Sequence, residues 1–530
     1  MQLKEFVEAR PVEETQGNLN QPITGLAYDS RAVRKGHIFF AVPGARLDGH
    51  DFALQALERG AAAVVLEREI ALPPGAPSIR VSSVRRTMGE WAALFFAHPS
   101  RCMVMVGVTG TNGKTTVTYL LESIFAAAGM VPGVIGTINY RHRGKTFPAP
   151  HTTPESVELH ALLREMADAG VQGVAMEVSS HALAMERVRG IEFDGAIFTN
   201  LTRDHLDFHG DMEHYFLSKS RLFTDYLGES PKRKKFAVIH GGDLRGRDLL
   251  EKARRAGLEV VSYGQSAEWD IHPLEFESDL DGLRGAIRVK DQTLDFSSRL
   301  IGTANLENIL GAVGVGLCLG LPQRSIADGI SRLESVPGRL ERIDNNRGIA
   351  VLVDYAHTPD ALERVLVSLR KVTSPANSKL ETRNSKLICV FGCGGDRDRG
   401  KRPLMGEIAA RLADFVVLTS DNPRTEEPLS IIKEVEDGTR RAGIKKFQIS
   451  NLKSQTSELE TRNPKLETDK AYCVEPDRGA AIRLALRIAR SGDLVLIAGK
   501  GHEDYQILGS KRIHFDDREV ARDLLAQQSG

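Results

Sequence analysis

The stretch CMVMVGVTGTNGKTTVTYLLESIFAAAG, residues 102–129, decides the fold. Residues 102–108 form an unbroken apolar run, the pattern of a strand covered on both faces. A turn rich in Gly, Thr and Asn follows. The residues after it are apolar at helical spacing until Gly129 stops them. Strand, glycine turn and helix in this order form a phosphate cradle. Gly110 and Gly113 let the backbone approach phosphate oxygens with its N–H groups turned inward. Lys114 neutralises β- and γ-phosphates. Thr115 opens the helix and offers its hydroxyl to Mg²⁺, while the helix dipole favours the anion. The match to G-x-x-x-x-G-K-[ST] is imperfect because Val108 holds the first glycine position.

Working outward, further buried-strand patterns at 174–178, 196–199 and 236–239 alternate with helical ones, which predicts a parallel, doubly wound sheet. A mixed α/β pattern precedes the stretch over residues 1–97. The segment VPGRLER (336–342) reads as a linker, and the alternation restarts beyond it. Strands are expected at 349–353, 387–391, 415–419, 471–474 and 494–498, with helices at 359–370 and 478–490, the latter capped by Asp477. The fold class is therefore α/β with three domains: 1–97, a central P-loop parallel-sheet ATPase domain over 98–336, and a Rossmann-like domain over 337–530. Two polar stretches, 371–386 and 452–470, share the string LETRN. Such text cannot bury a face, so both are expected as surface insertions.

Composition excludes several classes. The 530 residues carry 70 Lys+Arg against 70 Asp+Glu, which argues against nucleic acid or an anionic membrane as partner. The longest apolar runs fall far short of the ~20 residues that span a bilayer. The charged beginning MQLKEFVEAR does not read as a signal peptide. Five cysteines are too few and too scattered for a disulfide framework. A cytoplasmic monomer acting on small molecules is the expectation.

The string TGTNGKTT (109–116) resembles the ATP loop of the Mur ligases, the ATP-dependent amide-bond ligases of peptidoglycan assembly. Ten further blocks carry the resemblance along the chain: YDSR (28–31), HTTPE (151–155), EVSSHAL (177–183), TNLTRDHLDFHG (199–210), GTANLEN (302–308), VPGRLE (336–341), DYAHTPD (354–360), FGCGGDRDRGKRPLM (391–405), DNPRTEEP (421–428) and GKGHEDYQ (499–506). It implies an N-terminal substrate domain, a central ATPase domain and a Rossmann-like C-terminal domain. It also implies a reaction of carboxylate, ATP and amine giving amide, ADP and phosphate. The carboxylate passes through an acyl phosphate, so the site must stabilise charge on a transferring phosphoryl group.

The resemblance assigns roles residue by residue. Gly110, Thr111, Asn112, Gly113, Lys114, Thr115 and Thr116 hold ATP, with Asn305, Arg339, Asp354 and His357 around the nucleotide. Mg²⁺ falls to Thr115, Glu177, His205 and Lys219, the last as a carbamate formed with CO₂. Lys114, Glu177, His205 and Lys219 form the catalytic set. A lone helical lysine is otherwise nearly always solvated. Ser30, Thr152, Thr153, Ser179 and Arg187 match positions that hold a UDP-MurNAc-dipeptide, whose uridine contacts map to 45–47. Arg397, Asp421, Asn422, Pro423, Arg424, Gly499 and Glu503 match a pocket for meso-diaminopimelate. There Arg424 suits the distal carboxylate as a bidentate fork, and Glu503 suits an ammonium. Three rival readings stay open: the same ligation with L-lysine or another diamino acid, folylpolyglutamate synthesis through the shared loop, and a nucleotide-binding ATPase module that does not ligate.

Overall fold

The structure is a computed structural model that describes residues 1–44, 47–373, 385–447 and 470–527. Most of the two LETRN-containing stretches lies outside the described residues, as do Ala45 and Arg46. The chain divides into two compact units. One comprises Met1–Gly110, Phe125–Phe198 and Glu213–Ser262; the other comprises Thr111–Ile124, Thr199–Met212 and Tyr263–Gly530.

The first unit contains two sheets. The smaller runs in the order Glu14–Gln16, Ser78–Arg80, Ala63–Leu66, His37–Phe40, Gly25–Ala27, parallel except at its Glu14–Gln16 edge. Its core gathers Phe6, Phe40 and Trp91, with Trp91 centroids 5.5 Å and 6.0 Å from those two phenylalanines. In the larger sheet the strand Val104–Thr109 lies between Gly173–Glu177 and Gly195–Phe198. The strands Pro132–Ile135 and Phe236–His240 lie beyond them, all parallel. These short strands are buried along nearly their whole length, as parallel strands covered on both faces must be. Val104, not Cys102, begins the first of them: Pro99–Cys102 forms a 3₁₀ turn and Cys102 is exposed. Proline at its start favours that turn over an extended strand.

Parallel pairing has a consequence for function. Glu177 pairs with Val108 and Phe198 with Thr109, so three adjacent strands end at one edge of the sheet. Ligands bind at such edges in open parallel sheets.

In the second unit the seven-stranded sheet runs Glu341–Ile343, Ala350–Asp354, Leu494–Ala498, Leu387–Phe391, Phe415–Leu418, Ala471–Val474, Lys445–Lys446. Only the Glu341–Ile343 edge is antiparallel. Period-two alternation sorts its side chains between two cores. Leu352, Cys389, Phe391, Leu494 and Leu496 join Leu362, Leu366 and Met405 on one face. Val351, Val353, Ile388, Val390, Val495 and Ile497 join Ile482, Leu486 and Leu525 on the other. Asp477 caps the helix Arg478–Ile488 by accepting from the Ala480 N–H, as the sequence predicts. One feature was not expected: a three-stranded antiparallel meander of Ile271–Asp279, Gly282–Val289 and Gln292–Ser298. Among the described residues no helix is long and apolar enough to cross a membrane.

Candidate active site

In the second unit the helix Lys114–Ala127 begins at Lys114, one residue before the expected start. The loop ahead of it is laced to the segment 199–202. The Thr111 N–H donates to the Asn200 carbonyl (2.8 Å), and the Asn112 N–H donates to Asn200 Oδ1 (2.9 Å). Thr199 Oγ1 donates to the Asn112 carbonyl (2.6 Å), and the Thr202 N–H donates to Thr111 Oγ1 (3.0 Å). Gly113 has φ +89, and a Cβ there would lie 2.3 Å from Asn308 Oδ1. A side chain at 113 would therefore be strained in backbone and blocked in space. Lys114 Nζ donates to the Thr111 carbonyl at 2.9 Å, and Thr115 and Thr116 are buried. Asn200 and Asn308, both part of this cradle, escaped the sequence reading. Their blocks TNLT and LEN were visible, but nothing local pointed either amide at the loop.

Asn305 donates to the Ile301 carbonyl (2.8 Å) and accepts from Asn308 Nδ2 (3.0 Å). Arg339 donates through Nη2 to Thr115 Oγ1 (3.2 Å), and its guanidinium stacks over the Tyr355 ring at 4.5 Å. Asp354 accepts from the backbone N–H groups of Leu340 (2.7 Å) and Ala356 (2.8 Å). Burial pushes its carboxyl up, against the pull of Arg339 and those two N–H groups. His357 pairs Nδ1 with the Tyr355 carbonyl at 2.8 Å, and burial together with nearby Lys401 pushes its pKa down. Gly338 comes so close to the 499–503 turn that a Cβ on it would lie 2.1 Å from the His502 nitrogen. That contact fastens the VPGRLE turn to the GKGHE turn. His205 sits exposed at φ +54 with Nε2 3.3 Å from Asp204. Burial works against the Asp204 carboxylate, yet His205, His357 and Lys401 hold it below its usual range.

The positions expected to hold diaminopimelate also fall in this unit. Arg424 adopts φ +53 and donates Nη1 to the Gly395 carbonyl at 2.7 Å. Its backbone is held by bonds to Ile507 and Gly509. Asp421 and Asn422 are buried, Pro423 follows them, and Glu503 accepts from Asn422 Nδ2 at 2.9 Å. Gly499 has φ +113, and a Cβ there would sit 3.7 Å from Asp421 Oδ2. Arg397 is exposed on the facing loop. Arg402, fully buried, ties that loop down. It donates to Glu426 (2.6 and 2.9 Å), to Glu434 (2.9 Å) and to the Gly394 carbonyl (3.2 Å).

In the first unit Glu177 is buried, and Thr137 engages both its oxygens through N–H and Oγ1, each at 2.9 Å. Thr152 Oγ1 lies 3.1 Å from Thr137 Oγ1, and Thr153 Oγ1 donates to the Glu177 carbonyl at 2.8 Å. Ser179 caps the helix Ser180–Ala184, and its own N–H donates to Thr153 Oγ1 (3.1 Å). Arg187 donates to the Thr153 carbonyl (3.1 Å) and pairs with Glu155 (2.8 Å). Four of the five dipeptide positions thus form one connected patch. Ser30 stands apart from it, bonded to Gln55 at 2.6 Å. Lys219 overturns the expectation for a lone helical lysine. It is 1% exposed, donates Nζ to the Gly110 carbonyl at 2.9 Å and lies over the Tyr215 ring.

Among the described residues no three of His, Cys, Asp and Glu gather around a common point. Each unit carries an oxygen donor among the expected positions, the Thr115 hydroxyl in the second and the Glu177 carboxylate in the first. That suits Mg²⁺, which keeps several waters and takes one or two carboxylates plus substrate phosphates.

A glycine cradle at a parallel-sheet edge, with an arginine on the hydroxyl behind its lysine, defines an ATP-using enzyme. Three family matches sharpen this: Mur ligase family, catalytic domain over 22–96; Mur ligase middle domain over 108–316; and Mur ligase, glutamate ligase domain over 338–501. The chain belongs to the Mur ligase family of ATP-dependent ligases. A UDP-N-acetylmuramoyl-L-alanyl-D-glutamate--2,6-diaminopimelate ligase from Geobacter metallireducens is 47% identical over 98% of this chain and 97% of its own. Its namesake from Geobacter sulfurreducens is 48% identical over 98% of each. A solved structure of a ligase with that name covers 100% of this chain and 99% of its own, at TM-score 0.69 and 31% identity. A folylpolyglutamate synthase from Mycobacterium tuberculosis, complexed with ADP and AMPPCP, shares the fold. It has TM-score 0.61 at 18% identity, over 83% of this chain and 95% of its own.

Proposed function

We propose that this ligase joins meso-diaminopimelate to UDP-MurNAc-L-Ala-D-Glu at the expense of ATP, in the cytoplasm, where nucleotide-linked sugars and ATP are available. The observation that carries the reading is one loop, 421–424. It presents carboxylate Asp421 and guanidinium Arg424 within four residues, with Glu503 bonded to Asn422 between them. An amino acid bearing an ammonium at one end and a carboxylate at the other complements this charge pattern. The division into a dipeptide domain (1–97), an ATPase domain (98–336) and an amino-acid domain (337–530) goes with this reading.

The residues then act as follows. The N–H groups of Gly113, Lys114 and Thr115 and the Lys114 ammonium bind the β- and γ-phosphates, while those of Thr111 and Asn112 stay on Asn200 and hold the loop in shape. Arg339, already on Thr115 Oγ1, adds positive charge beside them. Once Lys114 Nζ has exchanged the Thr111 carbonyl for a phosphate oxygen, these donors stabilise the charge spread over the γ-phosphoryl oxygens as the group moves to the D-glutamate carboxylate. Thr115, and on this reading Glu177 and His205, would hold Mg²⁺, whose charge would further neutralise the phosphates. Thr152, Thr153, Ser179 and Arg187 orient the dipeptide, and Ser30 holds its nucleotide end. Glu503 and Asp421 receive an ammonium of diaminopimelate. The free amine attacks the acyl phosphate carbonyl, the C–N bond forms, the C–O bond to phosphate breaks, and the amine proton leaves to solvent. Lys219 takes up CO₂ to become a carbamate. Its burial supports this, since a charged ammonium is costly there and carbamylation replaces it with an anion suited to a metal site.

Phosphate release with ATP, Mg²⁺ and UDP-MurNAc-L-Ala-D-Glu, compared between meso-diaminopimelate and L-lysine, tests the function. Release only with diaminopimelate is expected. Release with lysine instead keeps the ligase and overturns its amino-acid selectivity, while release that ignores both amines overturns ligation. The carbamate predicts that Lys219→Ala is inactive and regains activity with added short carboxylates.

A further inference from the structure

Within GKGHEDYQ, Lys500 has no part in the scheme above, yet it is among the most completely buried charged residues of the chain. Its side chain is 0% exposed. Nζ lies 3.2 Å from Glu503 Oε2, 3.4 Å from Asn422 Oδ1 and 3.7 Å from Asp421 Oδ1. Asp421 Oδ1 is itself buried without a hydrogen bond among the described residues. Asn422 ties the group together, donating Nδ2 to Glu503 and accepting from the Ile507 N–H at 3.0 Å. The surrounding charged groups stand behind two tyrosines: Arg339 lies over the Tyr355 ring at 4.5 Å and Arg512 over the Tyr505 ring at 3.8 Å, with Arg424 also acting on Tyr505. Tyr355 places its hydroxyl 3.4 Å from Glu503 Oε1, and the Tyr505 ring lies 5.4 Å from Lys500 Nζ. Arg478 stands behind Gly499, but Asp517 engages it bidentately, both oxygens at 2.7 Å. That pair is neutral as a unit. Asp421 and Glu503 therefore share the one ammonium in contact with them, and these three groups together carry one negative charge in excess.

We propose that Lys500 is a positioning residue: its buried ammonium is the standing counter-ion of Asp421 and Glu503, keeps Glu503 ionised before substrate arrives, and leaves a single negative charge that only an incoming ammonium balances. The inference rests on the reading of Asp421 and Glu503 as the amine-binding end of the pocket. Without Lys500 two carboxylates would face each other in a desolvated site, and one would take up a proton. A protonated Glu503 would lose its charge-assisted grip on the substrate. Burial and Asp421 already raise the Glu503 pKa, and Lys500 opposes them. A lysine also sets a polarity for the pocket, since a ligand bringing a carboxylate to this end would meet net negative charge.

The test is the pH profile of KM for meso-diaminopimelate in the wild type, Lys500→Met and Lys500→Arg, with KM for ATP measured alongside. Glu503 binds an ammonium only when ionised, so KM rises as pH falls through its pKa. Removing the lysine raises that pKa, so in Lys500→Met the acid rise should move up by about one pH unit or more. Lys500→Arg should keep the wild-type profile, and KM for ATP should stay unchanged in both. A Lys500→Met profile that superimposes on the wild type overturns the inference, as does an equal displacement in Lys500→Arg. Should Lys500→Met not fold, the double variant Lys500→Met with Asp421→Asn keeps the net charge and should place the rise near the wild-type position. A rise displaced below it would show that Lys500 contributes nothing. A wild type that does not use diaminopimelate at all removes the underlying function instead, a result distinct from these.

Discussion

Arg424 illustrates how much a single residue can carry. Its left-handed backbone is set by bonds to Ile507 and Gly509, and its guanidinium by the Gly395 carbonyl. Only part of the fork is engaged by that carbonyl, which leaves donors for a carboxylate. Arg424→Lys keeps the charge and loses the fork. Losing one charged hydrogen bond of about 1.5–3 kcal/mol should raise KM for diaminopimelate by about ten- to a hundredfold. KM for ATP should hardly move, and steady-state kinetics in both substrates reads the difference. Lys114→Ala should abolish phosphate release by removing the cation at the β/γ-phosphates; normal turnover would sink the phosphate-loop assignment. Both residues were legible in the sequence because each sits in a short motif whose chemistry is local. Lys219 was not. Its burial depends on the Gly110 carbonyl, 109 residues away in the chain.

At the scale of elements, the strands at 387–391, 471–474 and 494–498 were legible because each is an unbroken apolar run, as a strand buried on both faces must be. The meander at 271–298 was not, because its first strand carries exposed residues on both faces, and Gly285 packs against the Glu275 carbonyl instead of filling a core. The turn at Gly338 has φ +64 and meets the His502 backbone. Gly338→Ala combines a left-handed backbone with a clash against main chain that cannot move aside. It should cost at least about 2 kcal/mol, read as a lower urea midpoint at unchanged slope. Asp477→Ala should cost about 1 kcal/mol by freeing the Ala480 N–H.

For the whole molecule, histidines that fold neutral contribute to the loss of stability in acid. Burial pushes His160, in the first unit, down to about 4 and His502, in the second, down to about 3. A histidine lowered on folding binds more protons in the unfolded chain. Its contribution is therefore complete above pH ~6.5 and disappears as pH falls towards the folded value. Melting temperature should fall steadily between pH 6.5 and 4. His160→Asn should flatten that slope, because a residue worth about 3 kcal/mol across this window would no longer titrate. A variant slope parallel to the wild type would show that His160 does not contribute.

By itself the sequence determined the α/β class, the phosphate loop and its helix, most of the buried strands, and the block pattern that places the chain among the Mur ligases. These depend on periodicity and on motifs a few residues long, where cause and effect are neighbours in the chain. Only the tertiary structure decided which distant groups complete each motif. Asn200 and Asn308 close on the phosphate loop, Thr137 holds Glu177, Lys500 is shared between Asp421 and Glu503, and Lys219 is buried against Gly110. Except for Lys500 and Glu503, three residues apart, these groups are far apart in the chain and approach only after the strands have stacked in order, so no local spacing encodes them.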